Sequence, residues 1–189
     1  DANKNPTGKR VTTNDYGSAD YYYVNKSSLP KVYGGFNTSL SWKGFDLSAI
    51  FAYSIGGYIY NRDITMILHN GSLEGRDWST EILRRWTPDN RYTDVPALST
   101  TSNNWNSAST RFLQNNSYMR LKNLTLSYNL PKQWISKLSL SSVQVYVQGD
   151  NLFTIHRNQG LDPEQGITGI TYYRYPAMRT ISGGINVSF

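Results

Sequence analysis

The chain has 189 residues, enough for one domain with a core, and a mean hydropathy of −0.54. It contains no apolar run of the roughly 18 residues that a transmembrane helix needs. The net charge is +6, but the 19 basic residues are scattered along the chain, which argues against a nucleic-acid surface. No cysteine is present, so disulfides and thiolate sites are excluded, whereas 15 tyrosines favour β-strands.

Residues 1–31 are polar and are predicted to form a loop that leads into the first strand. They begin with acidic and amide residues at every second position, as calcium-binding loops do. Pro6, however, replaces the glycine that such a loop needs for its turn, and Thr12 replaces its bidentate glutamate. We therefore favour a solvated loop and predict neither a metal site nor a cofactor. An export signal, if the protein is exported, is expected upstream of this segment.

A period-two alternation of apolar and polar residues predicts five antiparallel strands. The first two are joined by a tight turn at Lys43 and Gly44, with Trp42 and Phe45 on either side of it. The second strand is about 16 residues long, which exceeds the usual strand of a soluble protein. The predicted strands lie near residues 32–42, 45–60, 118–130, 142–153 and 180–189.

Residues 61–117 form the longest connection, and a connection of this length is usually functional or disordered. Within it, residues 78–86 are predicted to form a short helix. Asp77 would cap this helix, with Glu81 near its start and Arg84 near its end, as the helix dipole favours.

The strand predicted for residues 118–130 changes phase along its length. Leu124 and Leu126 hold one parity, whereas Met119 and Leu121 hold the other. One extra residue would bring all four side chains onto the same face, so a β-bulge is predicted near Lys122 and its successor. Alternatively, an apolar band begins only after that point.

The last predicted strand, 180–189, carries a specific ending. Ser182, Gly184, Val187 and Phe189 fit the polar-x-Gly-x-x-hydrophobic-x-aromatic pattern of outer-membrane barrel proteins, which resembles the signal read by the barrel-insertion machinery. A strand of this length, tilted by ~40°, spans about 25 Å, the height of the apolar band of such barrels. An ordinary half-buried strand of a soluble sandwich would show the same alternation.

The connections between strands alternate between short and long, at 43–44, 61–117, 131–141 and 154–177. Outer-membrane barrels have short periplasmic turns and long extracellular loops. Counting back from a periplasmic Phe189 places both long loops outside the cell and both short turns inside. Trp42 and Phe45 are then predicted to belong to the periplasmic aromatic girdle. The pattern therefore favours a transmembrane β-barrel.

Eight motifs precede the terminal strand in order: WKGFDLS (42–48), RWTP (85–88), TDVP (93–96), STRFL (109–113), SYMRLKNLTLSY (117–128), VYVQGDNLFT (145–154), GLDPE (160–164) and YP (175–176). Together they resemble the C-terminal portion of the SusC/RagA family of TonB-linked outer-membrane transporters. The resemblance covers most of residues 30–189, whereas 1–31 would only lead into the barrel.

The resemblance implies an all-β fold in which residues 32–189 supply the last five or so antiparallel strands of a transmembrane β-barrel. Such a barrel has about 22 strands closed around a plug, with two of its long extracellular loops in this chain. Five strands cannot close it without leaving backbone groups unsatisfied in lipid. The chain is therefore expected to be a fragment, a cleaved piece or a partial trace.

The resemblance also implies import of glycans or oligopeptides across the outer membrane of a Gram-negative bacterium. Its implied partners are the remainder of the barrel and plug, a SusD-like lipoprotein lid, outer-membrane lipid, and TonB acting through the missing plug region. Dimerisation of the transporter–lipoprotein pair is left open. Trp78, Trp105, Tyr172 and Tyr173 are candidates for contact with substrate or lid, unless they pack the loops together.

No catalytic site is predicted. His69 and His156 lack the spacing of a metal site, and neither a nucleophile elbow nor a phosphate-binding glycine loop is present. Asp162 and Glu164 flank Pro163 and are interpreted as a turn. Two alternatives to an active transporter remain: a soluble or surface-attached β-sandwich that binds carbohydrate, and a passive porin-type channel without TonB.

Overall fold

The computed structural model describes residues 13, 15–71, 73, 75–99, 101, 104–158, 160, 162–164 and 166–189. The N-terminal residues weighed above as a calcium loop lie outside this described part. The chain divides into two compact units. A smaller unit combines Asp1–Asn25 with Arg62–Phe112, and a larger unit combines Lys26–Asn61 with Leu113–Phe189.

The larger unit contains eight strands among its described residues. They are β1 (Val32–Trp42), β2 (Phe45–Ile55), β3 (Tyr58–Asn61), β4 (Leu113–Asn115), β5 (Tyr118–Asn129), β6 (Ser142–His156), β7 (Ile170–Thr171) and β8 (Thr180–Ser188). Five of them form one antiparallel sheet in the order β1-β2-β5-β6-β8, which confirms the predicted fold class. The short strands β4, β3 and β7 form a second, three-stranded sheet.

The strand expected over residues 45–60 is interrupted. β2 ends at Ile55, because Gly56 adopts a φ of +91°, which cannot continue a β-ladder. The N–H of Gly56 instead donates to the hydroxyl of Ser117 at 3.0 Å. The chain then enters β3 in the smaller sheet. Strand β4 likewise lies inside the connection predicted for 61–117.

A β-bulge at Lys122 is confirmed. The pairing of β5 shifts between Leu121 and Asn123 against both of its neighbours, β2 and β6. As a result Leu121 lies opposite Phe51, and Met119 lies opposite Tyr53. The extra residue therefore restores the phase of the strand, so that its apolar side chains continue on one face.

The two faces of the large sheet differ in chemistry. One row across the sheet pairs Leu40, Leu47, Leu126 and Val147 in turn, and it is apolar. Rows of the opposite parity carry polar side chains. One of these rows pairs Ser39, Ser48, Thr125, Gln148 and Ser182. Side chains alternate between faces in every strand, so this register makes one face apolar and the other polar.

The helical segments are short. They are α1 (Arg62–Ile67), α2 (Lys132–Ile135), and 3₁₀ turns at Tyr16–Ser18, Thr80–Arg84, Asn104–Asn106, Thr110–Phe112 and Ser136–Leu138. Within the described part of the chain, no helix has the length and apolar character needed to cross a membrane.

The helix predicted over residues 78–86 is wrong in extent and in its cap. Only a 3₁₀ turn forms, and the side chain of Ser79, rather than Asp77, accepts a hydrogen bond from the N–H of Glu81. The turn stops early because side chains satisfy its last carbonyls. Thr93 and Asn90 both donate to the carbonyl oxygen of Arg84, at 2.6 and 2.9 Å.

Candidate functional site

The apolar face of the five-stranded sheet carries exposed side chains on each of its five strands. Leu40 is 66% exposed, Val147 is 52% exposed and Ile181 is 72% exposed. Aromatic pairs extend this surface, with the rings of Phe36 and Phe51 stacked at 4.7 Å. Contiguous apolar patches of this kind mark surfaces that contact protein or membrane. The face is therefore a candidate surface for contact with protein or membrane.

An ion cluster around the buried side chain of Arg120 anchors the loop after β6 to the sheet. Arg120 of β5 is 3% exposed and donates to Asp162 at 2.5 Å, to Glu164 at 2.7 Å and to the hydroxyl of Thr154 at 2.8 Å. Lys122 donates to the same Glu164 carboxylate at 2.6 Å. Paired and hydrogen-bonded charges offset the cost of their burial. The cluster thus holds the start of the loop against β5.

Asp162 also joins the two ends of this loop. Its carboxylate accepts hydrogen bonds from the backbone N–H of Glu164 at 2.9 Å and from that of Ala177 at 2.6 Å. Burial raises the pKa of Asp162, but the donors on Ala177, Glu164 and Arg120 together outweigh burial, so the pKa lies below its ordinary 3.8. Its carboxylate is engaged by these structural contacts, which hold the turn around Pro163 in place.

A cavity of about 340 Å³ lies in the larger unit beside this anchored loop. Its lining includes the aromatic residues Tyr33, Tyr58 and Tyr118, together with Pro163 and Ile167 of the loop. The loop that the ion cluster fixes is thus also one wall of the cavity. Tyrosine rings combine an apolar surface with a polar edge, which suits ligands of mixed character.

Trp78 lies in the smaller unit and is held in one orientation. Its indole N–H donates to Nδ1 of His69 at 3.1 Å, and the two rings are 5.2 Å apart between centroids. His69 is 1% exposed, whereas Trp78 is 45% exposed. Both residues line a second cavity, of about 580 Å³, together with Leu98. Trp78 therefore presents an oriented, accessible ring.

Trp105, also in the smaller unit, is packed on more than one side. Its indole N–H donates to the carbonyl oxygen of Leu68, and the guanidinium of Arg111 lies 3.5 Å from the centre of its ring. A cation over the ring face contributes a favourable cation–π contact. These contacts favour a packing role for Trp105.

Tyr172 and Tyr173 form an exposed pair in the larger unit. They follow β7 directly, and their ring centroids are 4.2 Å apart. Tyr173 is 66% exposed and has a φ of +49°, an uncommon value for a residue with a side chain. Such strained positions occur where the surrounding structure fixes them, often at ligand-contacting loops.

The residues predicted for the insertion signal lie on and after β8. Ser182 is exposed and Phe189 is 92% exposed. Gly184 lies under the side chain of Tyr146, its partner on β6, and a Cβ at this position would meet the tyrosine hydroxyl at 2.7 Å. The predicted signal role of these residues and of Val187 remains a prediction.

The residues predicted for the girdle flank the first turn. Trp42 is 65% exposed and pairs across the strands with Phe45, whose ring is 4.4 Å from that of Tyr128. Lys43 lies between them in sequence, and its ammonium is 4.9 Å from the centre of the Trp42 ring. Their role at a membrane boundary likewise remains a prediction.

No protein-family model matches the chain. Known proteins nevertheless resemble it in sequence and in fold. TonB-dependent receptor P3 of Formosa agariphila is 34% identical over 82% of the chain, and TonB-dependent receptor SusC of Bacteroides thetaiotaomicron is 27% identical over 88% of it. The structure of the RagAB peptide importer in its closed-closed state superposes with a TM-score of 0.82 at 36% identity over 96% of the chain.

The chain spans only a small part of these relatives. It corresponds to 16% of each of the two receptors and to 20% of the matched RagAB chain. The relatives are named as receptors and importers rather than as enzymes. The sheet described above is accordingly a fragment of a larger barrel.

Proposed function

Because the chain belongs to the SusC/RagA family of TonB-linked outer-membrane transporters, we propose that it forms part of a barrel wall through which nutrients are imported. The observation that carries this proposal is the apolar face that runs across all five strands and stays exposed, as at Leu40 and Ile181. In a barrel this face would meet lipid, and the polar face would meet the plug or the lumen.

The proposed cargo is a glycan or an oligopeptide, carried in partnership with a SusD-like lipoprotein lid and powered by TonB. The RagAB relative is described as a peptide importer, which supports cargo of this size. Within the larger unit, the cavity beside the anchored loop and the exposed pair Tyr172 and Tyr173 offer aromatic surfaces to such a molecule or to the lid. Trp78 offers a further oriented ring in the smaller unit, whereas Trp105 is better explained by packing.

The active-transport proposal is tested by uptake in cells that express the full-length protein. Import of labelled glycans and of labelled oligopeptides is compared between the wild type, a strain without the protein, and the wild type treated with an uncoupler. We expect import of one cargo class to be lost both without the protein and without the proton gradient. Import that survives the uncoupler would indicate a passive channel instead.

The lid proposal needs a separate measurement. Affinity purification of the full-length protein from detergent extracts is expected to recover a lipoprotein in a fixed ratio. Cleavage of the lipoprotein from its lipid anchor should leave the complex intact, because the contact is between proteins. Recovery of the transporter alone in every detergent would contradict a stable lid.

The carbohydrate-binding sandwich makes a different prediction. A sandwich buries the apolar faces of its sheets against each other, whereas residues such as Val147 and Ile181 remain exposed here. The polypeptide from detergent-extracted outer membranes is expected to have a denatured mass several-fold above 21.5 kDa. A protein near that mass that stays soluble without detergent would support the sandwich.

A further inference from the structure

The end of the sheet that carries the two short turns combines lysines with exposed tryptophans. The first turn contains Lys43, and the second, at residues 130–141, contains Lys132 and Lys137. All three lysines are exposed. The two turns are adjacent, because the N–H of Asn129 at the end of β5 donates to the carbonyl of Gly44 at 2.8 Å. The lysines are thus grouped within neighbouring turns of one sheet end.

An acidic side chain beside the first turn, that of Asp46, is already engaged in hydrogen bonds within the chain. Asp46, at the start of β2, accepts hydrogen bonds from Ser41 and, at 2.7 Å, from Asn129. The described residues of the two turns themselves contain no Asp or Glu. The lysine charges are therefore available to an anionic partner outside the chain.

The positive charge of Lys43 lies beside the apolar face of the sheet. Its ammonium is 4.9 Å from the centre of the Trp42 ring, and Trp42 shares the exposed apolar face with Leu40 and Phe45. The cation is thus located where that face ends. Trp134 of the second turn is also exposed, at 64%, while its neighbour Ile135 is buried and holds α2 in place. Tryptophan and lysine together are typical of the headgroup level of a bilayer.

We propose that these two turns form a binding site for the headgroups of anionic phospholipids. Lys43, Lys132 and Lys137 would bind the phosphates, while the acyl chains run along the apolar face beside Trp42. The inference rests on the proposed membrane location of that face. It adds to that proposal a preference for anionic lipid at one end of the sheet. A bilayer is favoured over a soluble anion because the cation and the apolar surface are contiguous.

The test uses the full-length protein inserted into nanodiscs that contain equal amounts of phosphatidylglycerol and phosphatidylcholine. Native mass spectrometry then measures which lipid the protein retains. The test variant is Lys43→Gln/Lys132→Gln/Lys137→Gln. The matched control is Lys31→Gln/Arg174→Gln/Arg179→Gln, which removes the same charge from exposed residues outside the two turns. A third variant replaces the turn lysines with arginine and so keeps their charge.

We expect the wild type, the control and the arginine variant to retain phosphatidylglycerol preferentially. The preference should fall at least tenfold in the turn variant, because each basic residue near an anionic surface contributes roughly fivefold. An equal fall in the turn variant and the control would overturn the proposal in favour of overall charge. No fall in either variant would also overturn it. Failure of the wild type to insert into nanodiscs would instead refute the membrane location on which the inference rests.

Discussion

Removal of Arg120 is expected to release the loop that follows β6. The side chain of Arg120 is 4% exposed and donates to Asp162, whose side chain is 7% exposed. Truncation by Arg120→Met would leave that carboxylate buried without its cation. Breaking a buried pair in this way costs about 3–5 kcal/mol. At about 3 kcal/mol, opening of the loop would become roughly 150-fold more frequent.

The neighbouring pair supplies the control. Lys122 and Glu164 have side chains that are 34% and 37% exposed, so Lys122→Met should cost only about 0–1 kcal/mol. That cost corresponds to less than about a sixfold change in opening. The two substitutions remove one positive charge each and differ chiefly in the burial of the pair.

The assay is hydrogen–deuterium exchange on the full-length protein in detergent or nanodiscs. The reporters are the amides of Glu164 and Ala177, which both donate to Asp162. Exchange of both amides should accelerate strongly in Arg120→Met and weakly in Lys122→Met. Exchange in Arg120→Met within threefold of the wild type, or equal exchange in the two variants, would show that the buried ion pair does not hold the loop.

Three further predictions concern the same unit. Since the pKa of Asp162 lies below 3.8, its contribution to loop stability is present above pH 3.8 and is lost as the pH falls through the lower folded-state pKa. Exchange corrected for its intrinsic pH dependence should report this loss, and a loss near neutral pH would contradict it. Gly184→Val should destabilise the β6–β8 pair by about 1–3 kcal/mol, because its side chain collides with Tyr146. If adding Tyr146→Ser restores the folding yield, the collision is the cause of the loss, and not a failure of the insertion machinery to recognise the terminal strand. Replacement of both Tyr172 and Tyr173 by serine should raise the half-saturating concentration for import up to about tenfold, and unchanged transport kinetics would remove them as contacts.

The all-β fold and its two-faced sheet could be predicted because alternation is a local property of a strand. The bulge at Lys122 could also be predicted, because the apolar side chains change from one set of alternate positions to the other between Leu121 and Leu124. The break at Gly56 was missed because a glycine within an apolar run does not reveal its φ. The helix over 78–86 was overextended because hydrogen bonds from Thr93 and Asn90 end it, and these arrive from later residues.

The ion cluster shows what sequence reasoning missed at the candidate site. Arg120 and Asp162 are 42 residues apart, and each belongs to a motif that the sequence displays separately. A signal was present, since Arg120 interrupts a strand at a polar-face position and the next long loop contains two acidic residues. Pairing Arg120 with these acidic residues requires knowledge of the register of β5 against β6, which brings Arg120 opposite Thr154 near the start of the loop.

If the apolar face of the sheet meets lipid, two adjacent residues of one strand should differ in their contact with the bilayer. The 189 residues contain no cysteine, so spin labels can be placed singly at Leu47→Cys and at Ser48→Cys in a full-length protein without other cysteines. Electron paramagnetic resonance in nanodiscs then compares collision with oxygen, which enriches in lipid, and with a water-soluble nickel complex. We expect the label at Leu47 to collide preferentially with oxygen, whereas the label at Ser48 should not. Equal collision profiles at the two positions, or the reverse order, would contradict a lipid-facing wall.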